Sequence, residues 1–227
     1  MISVQDVCKE YIDGETRVRA LRGVSLAIDS GEFLSIAGPS GSGKTTLLNI
    51  IGCIDNADTG NVDIDGDRVA GKSKKELTEI RRAKIGFVFQ NFNLIPVLTA
   101  YENVSMPLSL LGVDEREIRE RTMGLLSEVG LEGMEHRRPS RLSGGQQQRV
   151  AVARALIKNP LIVLADEPTA NLDSATGEAI LKLMKDINQN RGTTFVFSTH
   201  DKMVMDYAER LCRLHDGLIR SDERRSA

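Results

Sequence analysis

The chain has no tryptophan, and aromatic residues make up only 4% of its 227 positions. Binding of single-stranded nucleic acid relies on aromatic side chains that stack on bases, and these are in short supply. Positive charge is not in excess either: 30 Lys+Arg against 32 Asp+Glu gives a net charge of -2. A chain that grips a polyanion normally carries a basic footprint, so nucleic acid is not an expected partner. Cysteine is sparse. Cys8, Cys53 and Cys212 are far apart and form no C-x-x-C pair, which argues against a disulfide framework or a zinc site and for buried, reduced thiols. No run of 18 apolar residues occurs, so no direct insertion into a membrane is expected. The segment Met1-Ile2-Ser3-Val4-Gln5-Asp6 does not read as a signal peptide. Linkers of Pro, Gly and Ser, low-complexity tracts and internal repeats are also lacking. These absences leave a cytosolic, globular chain, 41% hydrophobic and long enough to bury its own core.

Apolar strands alternating with helices make up most of what is there. Residues 24–28, 32–37, 61–64, 85–89, 161–165, 194–198 and 210–214 read as strands, and 45–54 and 177–188 as helices. From about 99 to 158 the apolar spacing is helical throughout. The pattern predicts an α/β fold: a mostly parallel sheet covered on both faces, with a helical insertion of about 60 residues in the middle.

Strand 32–37 runs into Gly38-Pro39-Ser40-Gly41-Ser42-Gly43-Lys44-Thr45, which fits G-x-x-x-x-G-K-[ST] and opens a helix. Glycines let the backbone wrap a phosphate chain with its N–H groups turned inward, and the helix end adds partial positive charge. Lys44 would bridge the outer phosphates, and the Thr45 hydroxyl would ligate Mg²⁺. Strand 161–165 ends in Asp166-Glu167-Pro168. Alternation along a strand aims the two acids differently. Asp166 is the expected partner of the metal, and Glu167 the group that orients and polarises an attacking water.

A third motif, Leu142-Ser143-Gly144-Gly145-Gln146, precedes a helix running to about Lys158. Ser143 suits a helix N-cap, and the two glycines expose N–H groups, which makes a second anion-binding helix end. The phosphate loop, this motif and the acidic pair, in that order, resemble the ATP-binding cassette (ABC) ATPases over nearly the whole chain. The resemblance implies a P-loop NTPase core with an antiparallel N-terminal β portion. In one cassette domain of residues 1–227, a RecA-like core would occupy about 1–90 and 159–227, and a helical subdomain about 91–158. ATP and Mg²⁺ are the implied cofactors. The implied nucleotide set is Tyr11, which would stack on adenine, then Gly38, Pro39, Ser40, Gly41, Ser42, Gly43, Lys44, Thr45 and Thr46. Ser143, Gly144, Gly145, Gln146 and Asp173 of a second copy would join it, in a head-to-tail homodimer closed on ATP. Glu167, His200 and Gln90 are the implied catalytic residues, and Thr45, Gln90 and Asp166 the implied metal set. Ala170 and Asn171 depart from residues common in the family.

Residues 85–113 contain a single charged residue, Glu102, so an exposed apolar docking loop is expected at 92–98. In the family this loop receives a transmembrane permease, here expected on a separate chain. The implied location is peripheral, on the cytoplasmic side of the inner membrane. Segments such as Asn49-Ile50-Ile51-Gly52-Cys53 and Phe92-Asn93-Leu94-Ile95-Pro96 are similar to the branch of lipoprotein-releasing and macrolide-exporting ATPases. That branch works by mechanotransmission. Peptide exporters, cell-division regulators and, more remotely, cassettes outside transport remain alternatives at this point.

Overall fold

The computed structural model describes residues 1–14 and 16–225. The elements in chain order are β1 (Ile2–Asp13), β2 (Thr16–Ile28), β3 (Phe33–Ala37), α1 (Lys44–Ile51), β4 (Thr59–Ile64), β5 (Asp67–Arg68), α2 (Lys74–Lys84), β6 (Ile85–Val88), α3 (Ala100–Leu110), α4 (Glu115–Glu128), α5 (Gly144–Leu156), β7 (Ile162–Asp166), α6 (Ser174–Arg191), β8 (Thr194–Thr199), α7 (Lys202–Tyr207), β9 (Arg210–His215) and β10 (Leu218–Arg224).

The central sheet has the order β10-β9-β3-β8-β7-β6. All neighbours are parallel except the edge pair β9–β10. A second sheet, β2-β1-β4-β5, is antiparallel throughout. The fold is α/β, as expected. Side-chain alternation along the central strands feeds two cores. Phe33, Phe195, Phe197, Val163 and Ala165 face α3, α4, α5 and α6. Leu34, Ile36, Ile162, Leu164 and Val196 face α1 and the antiparallel sheet. Burial on both faces is why these strands read as continuous apolar runs.

Several elements had weak sequence signals. Strand β1 and the first half of β2 form a hairpin interrupted by register shifts, and its β2 end faces solvent, so no clean alternation marks it. Helix α2 buries only Leu77 and Ile80. It is fixed by a capping box: the Ser73 Oγ accepts the Glu76 N–H, and the Glu76 carboxylate accepts the Ser73 N–H. Strand 210–214 is not the last, because β10 folds back on it. The helical stretch divides into α3, α4 and α5, with Gly112 (φ +72°) and Gly130 (φ +72°) among the breaks. Cys53 and Cys212 are buried and Cys8 is half-buried. Burial pushes the Cys53 thiol up to about 11 and the Cys212 thiol to about 12. Among the described residues no helix is long and apolar enough to cross a membrane.

Candidate nucleotide site

The fully buried strand β3 delivers the loop 38–43 to the C-terminal edge of the central sheet. The loop packs too tightly for side chains at its ends. A Cβ on Gly38 would lie 2.1 Å from the Leu214 carbonyl oxygen, and one on Gly43 2.4 Å from that of Ala20. Gly41 (φ +77°) and Gly43 (φ +102°) hold left-handed backbone that disfavours other residues. The Gly217 N–H donates to the Ser42 carbonyl and anchors the loop from behind. Helix α1 then begins with no side-chain cap and no acidic residue in its first turn, so its N-terminal N–H groups remain available to an anion. Lys44 is buried to 6% exposure. Its ammonium donates to the Gly38 and Pro39 carbonyls at 2.8 and 2.9 Å.

Strand β7 carries Asp166 to the same edge, where the Thr45 hydroxyl donates to its Oδ1 at 3.3 Å. Glu167 leaves the strand in left-handed backbone (φ +46°), with its N–H donated to the Ser198 carbonyl. Its carboxylate is held at both oxygens. The Thr199 hydroxyl donates to Oε2 at 3.1 Å, and His200 Nδ1 lies 2.7 Å from Oε1. The Glu167 side chain is 15% exposed and that of His200 67%.

Tyr11 comes from β1. Its hydroxyl donates to Asp55 Oδ2 at 2.8 Å, and the Lys9 ammonium lies 5.2 Å from its ring centroid. Burial works to raise the Asp55 carboxyl. The hydrogen bonds from Tyr11 and Lys9 outweigh that and leave it below the usual carboxylate range.

One cavity of roughly 460 Å³ brings together Tyr11, Ser40, Gly41, Gly43, Lys44, Thr45, Thr46, Gln90, Asp166, Glu167 and His200. Gly38, Pro39 and Ser42 build the loop but do not line the cavity. Ser143, Gly144, Gly145, Gln146 and Asp173 lie elsewhere. Ser143 and Gln146 form the capping box of α5. Gly144 sits against Leu172, and Gly145 against Thr176. Asp173 caps α6 through the Thr176 N–H. Motif reading missed Val18 and Ala20 on the cavity wall, and Thr199 and Asp55 as supports. Val18 and Ala20 carry no signal that sequence alone could have used, since they depend on how the β1–β2 hairpin folds over the loop.

The expected docking loop exposes Val97 at 69%, and its backbone is held by side chains from other elements. Phe92 (φ +60°) and Asn93 (φ +48°) are consecutive left-handed residues whose carbonyls accept from Arg154 of α5. Asn103 binds the backbone of Ile95 and Leu98. Asn171 donates to the Gln90 carbonyl at 2.9 Å and to Asn91 Oδ1 at 2.8 Å.

The donors in the cavity fit a nucleoside polyphosphate and a hard cation. They comprise an uncapped helix end, a buried ammonium whose partners among the described residues are backbone carbonyls, and oxygen ligands on Thr45 and Asp166. The sequence profile of the ABC transporter family matches residues 21–170. The chain belongs to the ABC transporter family. It is an ABC ATPase cassette. It is 50% identical over 228 residues to an uncharacterized ABC transporter ATP-binding protein, MJ0796, of Methanocaldococcus jannaschii, covering 99% of this chain and 97% of the relative. It is 49% identical over 221 residues to a macrolide export ATP-binding/permease protein, MacB, of Syntrophobacter fumaroxidans. That match covers 96% of this chain but only 31% of the relative, so the cassette spans about a third of that protein's length. Among solved structures, a dimer of the MJ0796 cassette in a post-hydrolysis state with ADP and Pi superposes with a TM-score of 0.92. The identity is 49%, and both chains are covered completely. These likenesses are consistent with the macrolide-export and lipoprotein-release branch.

Proposed function

We propose that this cassette hydrolyses Mg·ATP between two copies and passes the resulting closure to a permease on a separate chain. The observation that carries this is the position of the Glu167 carboxylate. It is clamped by Thr199 and His200 on the wall of the cavity that the phosphate loop and Asp166 line. The loop's inward N–H groups and the start of α1 bind the phosphate chain of ATP, and Lys44 exchanges two carbonyls for phosphate oxygens. Tyr11 presents its ring to adenine, braced by Asp55 and Lys9. Thr46 lies beside it on the cavity wall.

Thr45, Asp166 and Gln90 would hold Mg²⁺, which when bound neutralises phosphate charge. Glu167 orients water and accepts its proton, and His200 keeps the carboxylate aimed. Ser143, Gly144, Gly145, Gln146 and Asp173 are separated from their own cavity. That separation supports their use by the partner copy, as does the likeness to a dimeric cassette bound to ADP and Pi.

The permease would act in lipoprotein release or macrolide or peptide export. The cassette would then sit peripherally on the cytoplasmic side of the inner membrane. Its core would comprise about 1–90 and 159–227, and its helical subdomain about 91–158. The permease docks beside the Gln90 loop, in the groove bounded by α2, β6, α3 and α5.

Glu167→Gln tests the assignment. ATP should still bind, turnover should fall at least a hundredfold, and a dimer should accumulate on size-exclusion chromatography with ATP. Turnover near the wild-type rate would remove Glu167 from the role.

A further inference from the structure

We infer that the groove between α2, β6, α3 and α5 is matched to a partner segment that is apolar on one side and carries at least one carboxylate. The inference rests on the docking reading and adds the chemistry of the occupant.

The groove holds roughly 520 Å³. Its apolar lining includes Phe87, Phe89, Pro107 and Leu110, and Leu110 is 59% exposed. The same lining holds Arg81, Arg82, Arg154 and Lys158 and no carboxylate. Arg81 donates to the Cys53 carbonyl and the Thr78 hydroxyl, Arg154 to the carbonyls of Phe92 and Asn93, and Lys158 to those of Arg81 and Arg82. Among the described residues, none of these three cations has a carboxylate oxygen within 4.0 Å, and Arg82, which donates to the Leu110 carbonyl, has only that of Glu79, at 3.7 Å.

Several other half-buried cations of the chain sit against carboxylates, while Lys44, held by carbonyls alone, faces the site proposed for phosphate. Lys9 pairs with Asp55 and Asp58, Lys84 with Asp65 and Asp67, and Arg210 with Glu32 and Asp222. Backbone carbonyls satisfy the groove cations' hydrogen bonds but do not neutralise their charge, which is costly in a partly desolvated site. Burial accordingly pulls the Lys158 ammonium down to about 8. An acidic segment supplies the missing countercharge, and the apolar lining takes its other face in the helix-in-groove manner. Anionic lipid headgroups also carry negative charge, but they offer nothing to the apolar Phe87, Pro107 and Leu110 of the lining.

The test uses the full chain in membranes of its host. A photo-crosslinking amino acid replaces Leu110, and mass spectrometry maps what it captures. A membrane-protein segment with Asp or Glu within one helical turn of the captured position is expected. Arg82→Glu should then cut recovery of the complex about tenfold, and Arg82→Gln should cut it less. Placing Lys at the mapped acid should restore the complex with Arg82→Glu. A captured segment with no nearby carboxylate, or Arg82→Glu with undiminished recovery, overturns the charge match and leaves the docking reading standing. Capture of lipid alone at Leu110 overturns the charge match. Capture of the membrane protein by a probe at Val97 but none at Leu110 moves docking to the 92–98 loop and overturns both the groove as the docking place and this inference.

Discussion

Glu167 holds its carboxylate in place by two means. Its left-handed φ of +46° costs about 1–3 kcal/mol in a non-glycine residue and turns the side chain off the strand direction. Thr199 and His200 then fix one oxygen each. Thr199 is fully buried; its backbone carbonyl accepts the Gly38 N–H of the phosphate loop, but its hydroxyl meets only Glu167 and the Asp201 N–H among the described residues, so the hydroxyl positions Glu167. Thr199→Val should lower kcat roughly tenfold, the value of one hydrogen bond to a charged group, and leave ATP affinity unchanged. Steady-state kinetics and equilibrium nucleotide binding check both halves.

Lys158 gives a pH prediction at the same scale. Its folded-state pKa is about 8, lowered by burial from 10.5. Below pH 8 both states carry the proton, and the folded state bears the cost. Between about 8 and 10.5 the unfolded chain binds a proton that the folded chain lacks, so this residue makes stability rise with pH. Lys158→Met should remove that rise. Urea midpoints of both proteins at pH 7.5 and 9.5 would show it as a smaller wild-type deficit at the higher pH.

The start of α5 at Ser143 was legible in the sequence, whereas the equally capped start of α2 at Ser73 was not. Ser73/Glu76, Thr99/Glu102 and Ser143/Gln146 each form a reciprocal capping box, a contact made within four residues. Thr99→Ala should cost about 1 kcal/mol in urea unfolding. Pro107 lies inside α3, where propensity would end the helix, yet α3 continues to Leu110. The burial of Val104 and Leu108 against the helical core overrides it. Helix α2 left little trace because it is mostly solvated, and β1–β2 because register shifts broke its period.

Across the whole molecule, the Ser143–Gln146 turn and the phosphate cavity occupy different places on one chain. If two copies complete each site, a lesion in that turn should spare a chain's own ATP binding and abolish turnover. Ser143→Arg should therefore bind ATP with normal affinity, show basal hydrolysis reduced at least tenfold, and form no ATP-dependent dimer. Normal turnover in that variant would argue for sites complete within one chain.

The sequence by itself determined what depends on near neighbours: the phosphate loop's glycines and lysine, the acids at the end of β7, the capped helix starts and the two-faced apolar strands. Backbone conformation and strand alternation are local, and their residue requirements survive in a linear string. Tertiary structure decided what depends on strand register and packing. Parallel pairing sets Asp166 opposite Ser198, and only that register puts Thr199 and His200 beside Glu167, across 32 and 33 residues. The same holds for the cations of α2 and α5, which meet in one groove because both helices pack along β6. No spacing rule encodes such meetings, since their geometry belongs to the assembled sheet.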